Sequence, residues 1–109
     1  MMFASPALAL TATQIQEMNQ LNEIGEAFSS RYLTFLEESR ERRLYGIRSS
    51  KADNVAMDQL SKAFREVGLS PSSENIARAK NYVRRVTSDN DIASYIRSAA
   101  YEMEDILNK

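Results

Sequence analysis

The side chains that most often do chemistry in proteins are missing from this chain. None of its 109 residues is a cysteine or a histidine, so thiolate nucleophiles, the commonest metal ligand and the commonest general base are all excluded. A Ser-His-Asp triad is impossible, and no glycine-rich phosphate-binding loop is present. We therefore predict that the protein is not an enzyme.

The acidic residues do not have a spacing that would bring them to a shared site. Glu102, Glu104 and Asp105 are close in sequence, but a rotation of about 100° per residue spreads them around a helix. We expect no metal site there, and no catalytic or cofactor-binding residue elsewhere.

One stretch resembles a known helix pair. LSKAFREVGLSPSSENI, from Leu60 to Ile76, resembles the helix–linker–helix segment that joins paired EF-hands, and the DNDI that follows resembles part of a calcium loop. If Ile92 holds the central apolar position of that loop, Arg85 and Ile96 occupy its first and last ligand positions. Neither side chain can coordinate calcium, so the resemblance implies a calcium-free helix pair.

The longest helical pattern runs from Thr11 to Tyr45, where apolar residues recur at helical spacing. Thr11 with Gln14, or Thr13 with Gln16, matches a capping box, and Gly46 can serve as a left-handed stop. Ser29 and Ser30 could bend the helix or split it. The expected apolar face consists of Met18, Leu21, Ile24, Phe28, Tyr32, Phe35 and Leu36.

Three shorter helices follow, each with one apolar face. Their predicted starts, in chain order, are Asp53 or Asn54, Ser70 with Pro71 in the first helical position, and Ser88 or Asp89. Short links favour neighbours that run up and down. The sequence thus predicts an all-α fold, an antiparallel four-helix bundle with a long first helix, formed by residues 11–109 as a single domain.

Residues 1–10, MMFASPALAL, allow two interpretations. We favour an N-terminal arm that packs on the bundle of a cytoplasmic protein, because the lack of cysteine fits a reducing compartment. The alternative is the remnant of an export or thylakoid-targeting segment, since Ala7-Leu8-Ala9 has the small-x-small pattern of a cleavage site. No window reaches the ~18 apolar residues that a membrane span needs.

A basic segment closes the first helix and enters the loop behind it. The net charge of -1 gives no overall attraction to nucleic acid or anionic membranes. The segment is either a solvated helix end, where positive charge suits the helix dipole, or a binding site for an acidic protein surface. Helices one and three, if side by side, would add Lys80, Arg84 and Arg85. The residues predicted to bind the partner are Arg40, Arg42, Arg43, Tyr45 and Arg48.

The leading functional hypothesis is a non-enzymatic interaction or assembly subunit. It would dock through residues 31–48 onto a larger protein or a second copy, because the other helices are too short to cover the first. One alternative is an exported helical accessory subunit of a membrane complex, since FASPALA and the cysteine-free bundle resemble the lumenal extrinsic subunits of photosynthetic membranes. A weaker alternative is a nucleic-acid-binding protein.

Overall fold

Four α-helices and no strands form the described part of the chain, which in this computed structural model is residues 10–109, apart from the side chain of Leu69. The predicted all-α four-helix bundle with a long first helix is confirmed. The helices are α1 (Ala12–Leu44), α2 (Lys51–Leu69), α3 (Ser73–Thr87) and α4 (Ser94–Leu107).

Helix α1 packs between α2 and α4, and α3 packs across the same two helices from the other side. Neighbouring helices run in opposite directions. Ser39, near the end of α1, contacts Met57, near the start of α2, while Gly25 lies against Val67 at the end of α2. A Cβ at position 25 would come within 3.1 Å of Pro71, so this glycine lets the α2–α3 link approach α1 closely.

The hydrophobic core fills the space between the four helices. The predicted faces of α2, α3 and α4 all contribute to it, but in α1 the prediction was wrong for Met18 and Leu36, which are exposed. Met18 lines an open depression beside Pro71 of the α2–α3 link, and Leu36 is 42% exposed. The largest fully buried side chains are Phe28, Phe35, Leu60, Ile96, Met103, Leu107, Val83 and Val86.

Both ends of α1 follow the sequence pattern. Thr11 and Gln14 form the predicted capping box, each side chain accepting a hydrogen bond from the other residue's backbone N–H. Gly46 has φ 76° and donates to the Arg43 carbonyl, while Ile47 donates to that of Arg42. This pair of bonds satisfies the last free carbonyls of the helix, and the helix is continuous through Ser29 and Ser30.

The starts of the other three helices differ from the prediction. Helix α2 begins earlier, with Ser50 as its cap and Asp53 in the third helical position, so the two close a capping box. Helix α3 is capped by Ser72 rather than Ser70. Each chain segment offers several serines or acids, and local preference alone does not choose among them.

Helix α4 begins several residues later than its predicted start. Its cap position is Ala93, which has no side-chain cap, so the prediction of Ser88 or Asp89 was wrong. The Asp89 carboxylate instead accepts a hydrogen bond from the Asp91 N–H at 2.9 Å, a turn that delays the helix. The Ala93 N–H donates to Asp53 of α2 at 2.8 Å.

Candidate interaction surface

The carboxylates near the C-terminus are used in separate ion pairs. Glu102 pairs with Arg31 of α1, whereas Glu104 lies 3.9 Å from Arg84 of α3. Within residues 10–109, no group of three or more acidic residues is arranged to hold a metal ion.

Asp53 is the one described ionisable group with a clearly shifted pKa. Burial favours the neutral carboxyl and would raise the pKa, but hydrogen bonds from the Ala93 and Ser50 amides and the Ser50 hydroxyl lower it below the ordinary 3.8. These partners belong to helix starts. Asp53 therefore joins the beginning of α2 to the beginning of α4, which is a structural role.

Helix α1 projects beyond the bundle at its beginning. Residues 12–20 are all exposed, and Ile15 and Met18 are the large apolar side chains among them. The first contacts with the core come at Leu21 and Ile24. We call residues 12–20 the overhang. The sequence hypothesis placed the uncovered part at residues 31–48, but Tyr32, Phe35 and Ser39 in that range are buried.

A second uncovered region lies at the other end of α1, and we call residues 40–48 the tip. Leu44 is 76% exposed, Tyr45 is 85% exposed and Ile47 is 51% exposed. Arg40, Arg43 and Arg48 surround them; they too are exposed, and none forms an ion pair with a described residue. The tip thus combines apolar side chains with unneutralised positive charge.

Arg42 differs from the other predicted partner-binding residues. Its guanidinium lies 3.9 Å from the centre of the Tyr95 ring, and the Tyr95 hydroxyl lies 3.3 Å from the buried Ser39 hydroxyl. A stacked arginine of this kind contributes to stability as well as charge. Arg42 therefore sits at the rim of the core, while Arg40, Arg43, Tyr45 and Arg48 face outward.

The basic residues of α3 do not extend the tip. Helices α1 and α3 lie across the bundle from each other rather than side by side. Arg85 bonds Gln59 of α2 at 3.4 Å, and Arg84 lies near Glu104 of α4. The positive charge is therefore divided among separate sides of the molecule, and no continuous basic stripe suited to a phosphate backbone forms.

A stripe of exposed apolar residues runs along α1, outside the core. At about 100° per residue, its members fall within an arc of about 80°, turned roughly 120° from the buried face. The sequence pattern did not reveal this stripe, because Met18 and Leu36 were assigned to the buried face. We call it the outer face; its members are Ile15, Met18, Leu33, Leu36 and Leu44.

A depression of about 330 Å³ lies where the overhang joins the bundle. Its lining mixes apolar residues such as Ile24 and Leu107 with polar ones such as Glu17 and Lys80. This volume is at the small end of ligand sites. Because the depression is open to solvent, we do not assign a ligand to it.

The fold and surface define a class, an up-and-down four-helix bundle whose first helix is much longer than the other three. No family model matches the chain, and comparison with curated proteins and with solved structures likewise found no match. No helix in residues 10–109 combines the length and the apolar character required to cross a membrane. The predicted cleavage pattern Ala7-Leu8-Ala9 lies outside the described residues.

Proposed function

We propose that this protein is a non-enzymatic interaction or assembly subunit that docks through α1. The contact surface comprises the tip and the outer face. The partner presents apolar side chains framed by acidic groups.

The observation that supports the proposal most strongly is the composition of the tip. The side chains of Leu44, Tyr45 and Ile47 are exposed to solvent and are not part of the hydrophobic core of the bundle. Fully burying a side chain of this size is worth about 1.5–3 kcal/mol, so a partner that covers all three gains substantially. Aromatic and arginine side chains are also the types enriched at protein interfaces.

The free arginines indicate the charge of the partner. Arg40, Arg43 and Arg48 form no ion pair with a described residue, and they outnumber the one acidic residue of the tip, Glu41. A complementary acidic surface would speed association and exclude wrong partners. Contacts of this kind weaken as salt screens them, over about 8 Å at physiological ionic strength.

The test is co-purification of the untagged protein with its native partner. The double variant Arg40→Glu, Arg43→Glu should lose partner recovery, since both side chains are exposed and their reversal leaves the core intact. Arg42 stays unchanged because of its contact with Tyr95. A matched control, Arg65→Glu with Arg85→Glu, makes the same change in net charge on other helices.

The expected result is loss of the partner with the tip variant and retention with the control. Equal recovery from both would remove the tip from the interface. A partner that is retained by the tip variant but lost on Leu33→Asp would move the contact to the middle of the outer face.

A further inference from the structure

The charge along α1 is divided between its two halves. The first half, up to Ser30, has only acidic charges, from Glu17, Glu23 and Glu26. The second half contains the free arginines of the tip. Glu26 is exposed and forms no ion pair with a described residue. From Arg31 to Arg48 the second half has five arginines against three glutamates, so a second α1 running in the opposite direction would bring an acidic half alongside a half of net positive charge.

The outer face has a register that suits such a pairing. With Leu33 of each copy on a two-fold axis, position 26 of one helix faces position 40 of the other, so Glu26 meets Arg40 twice. Leu36 then faces the small Ser30, which leaves room for close approach. The end of each overhang, residues 18–20, runs alongside residues 46–48 of the other copy's tip, so Met18 gains Ile47 as an apolar neighbour there.

The area available is consistent with a weak dimer. With Leu33 on the axis, residues 22–44 of the two copies of α1 overlap, over about 35 Å in length and about 10 Å in width, which offers roughly 350 Å² from each copy. The total of roughly 700 Å² is below the size of a stable specific interface and corresponds to a transient one. The population of dimer should therefore depend on protein concentration.

We infer that the partner of the outer face is a second copy of this chain, paired antiparallel through α1 with Glu26 against Arg40. This inference rests on the proposed docking function of α1 and names its occupant. In an isologous two-fold contact of this type, each residue pair occurs twice.

The first experiment is sedimentation equilibrium of the full chain over a range of concentrations. The wild type should show a monomer–dimer equilibrium, and Glu26→Arg or Arg40→Glu should raise the dissociation constant about tenfold or more, because each places like charges together. The double exchange Glu26→Arg, Arg40→Glu should restore the dissociation constant of the wild type. Controls with the same charge change, Asp105→Arg and Arg85→Glu, should leave it unchanged.

The second experiment determines the orientation and uses the absence of native cysteine. A Glu26→Cys variant mixed with an Arg40→Cys variant should form a mixed disulfide between different chains under mild oxidation. Parallel pairing would instead link Glu26→Cys to itself. Asn81→Cys, exposed on α3, is the control and should stay uncrosslinked.

The inference is overturned if the wild type stays monomeric at every concentration. It is also overturned if the double exchange dimerises as weakly as the single variants. Neither outcome touches the docking function itself. If the chain is monomeric and the tip variant still loses a co-purifying partner, the docking proposal stands with a different occupant. If dimerisation and partner recovery are both unaffected by the tip and outer-face variants, both proposals fail.

Discussion

The middle and the ends of α1 belong to one continuous helix but meet different surroundings. Ile24, Phe28 and Phe35 in the middle are buried, whereas residues 12–20 and the tip are in water. The partner helices have 19, 15 and 14 residues against 33 in α1. At about 1.5 Å per residue, they can cover only about half of its length.

This difference separates two uses of apolar residues. In the middle they hold the bundle together, while Ile15, Met18, Leu44 and Tyr45 add nothing to the core. The proposed docking function assigns these exposed side chains to contact with the partner. The contrast between covered and uncovered positions can be measured with substitutions. They are given below from the largest expected effect on stability to the smallest.

The largest effect is expected at Phe35, which is fully buried and stacks on Tyr95 at 5.9 Å between ring centres. Phe35→Ala should lower the free energy of unfolding by about 3–5 kcal/mol, because it removes buried surface and leaves a cavity. The adjacent Leu36→Ala should cost less than about 1 kcal/mol, since Leu36 is 42% exposed. Urea denaturation measures both, and equal losses would contradict the assignment of the two faces.

The next effect concerns the hydrogen bonds of Asp53, which join the start of α2 to the start of α4. Asp53→Asn should cost about 1–3 kcal/mol, because the amide cannot replace every bond made by the buried carboxylate. Asp89→Asn is a matched control, since Asp89 bonds only within its own turn through its side chain. Similar losses in the two variants would contradict a bridging role.

The contribution of Asp53 should depend on pH. Its pKa is lowered in the folded protein, so the unfolded state binds the proton more readily and the stabilisation is fully present above the ordinary pKa of 3.8. It is lost as the pH falls through the lowered folded value. The stability difference between wild type and Asp53→Asn, followed by denaturation at several pH values, should stay constant above about pH 5 and shrink below pH 3.8.

A smaller effect is expected where α1 ends. Gly46 has φ 76° and no atom near the place of a Cβ, so Gly46→Ala has strain as its only cost, about 1 kcal/mol. Gly46→Asn should cost less, because asparagine tolerates this conformation better. An alanine variant as stable as the wild type would show that the stop is not needed to shape the tip.

The smallest effect on folding is expected at the overhang. The double variant Ile15→Ser, Met18→Ser should change stability by less than about 0.5 kcal/mol, while it weakens the dimer through lost apolar contact. Thermal unfolding at low protein concentration measures the stability of the monomer, and sedimentation measures the affinity of the dimer. A large loss of monomer stability would mean that the overhang is packed after all.

Much of the fold was predictable because it depends on local pattern. Helical spacing identified the faces of α2, α3 and α4, and the caps Thr11 and Gly46 were identified because their chemistry involves neighbours within a few residues. The starts of α2, α3 and α4 were predicted wrongly. In α4 the reason is clear: the Ala93 N–H finds its acceptor on Asp53, forty residues away along the chain.

The candidate site was predictable only in part. Sequence identified Arg40, Arg43, Tyr45 and Arg48 as a basic and aromatic group, and the structure exposes all four. It could not reveal that Arg42 stacks on Tyr95, because that ring comes from α4. The outer face was missed because its residues differ from core residues only in which side of α1 the bundle covers.

Residue types and their spacing thus determined by themselves that the chain is helical, where its longest helix lies, and that histidine and cysteine chemistry is closed to it. These properties arise from interactions within a few turns or from atoms that are simply missing. Tertiary structure decided which part of α1 is covered, which side of it stays in water and which arginines remain free. Those outcomes depend on where along α1 the three shorter helices pack, and a local sequence pattern does not specify that position.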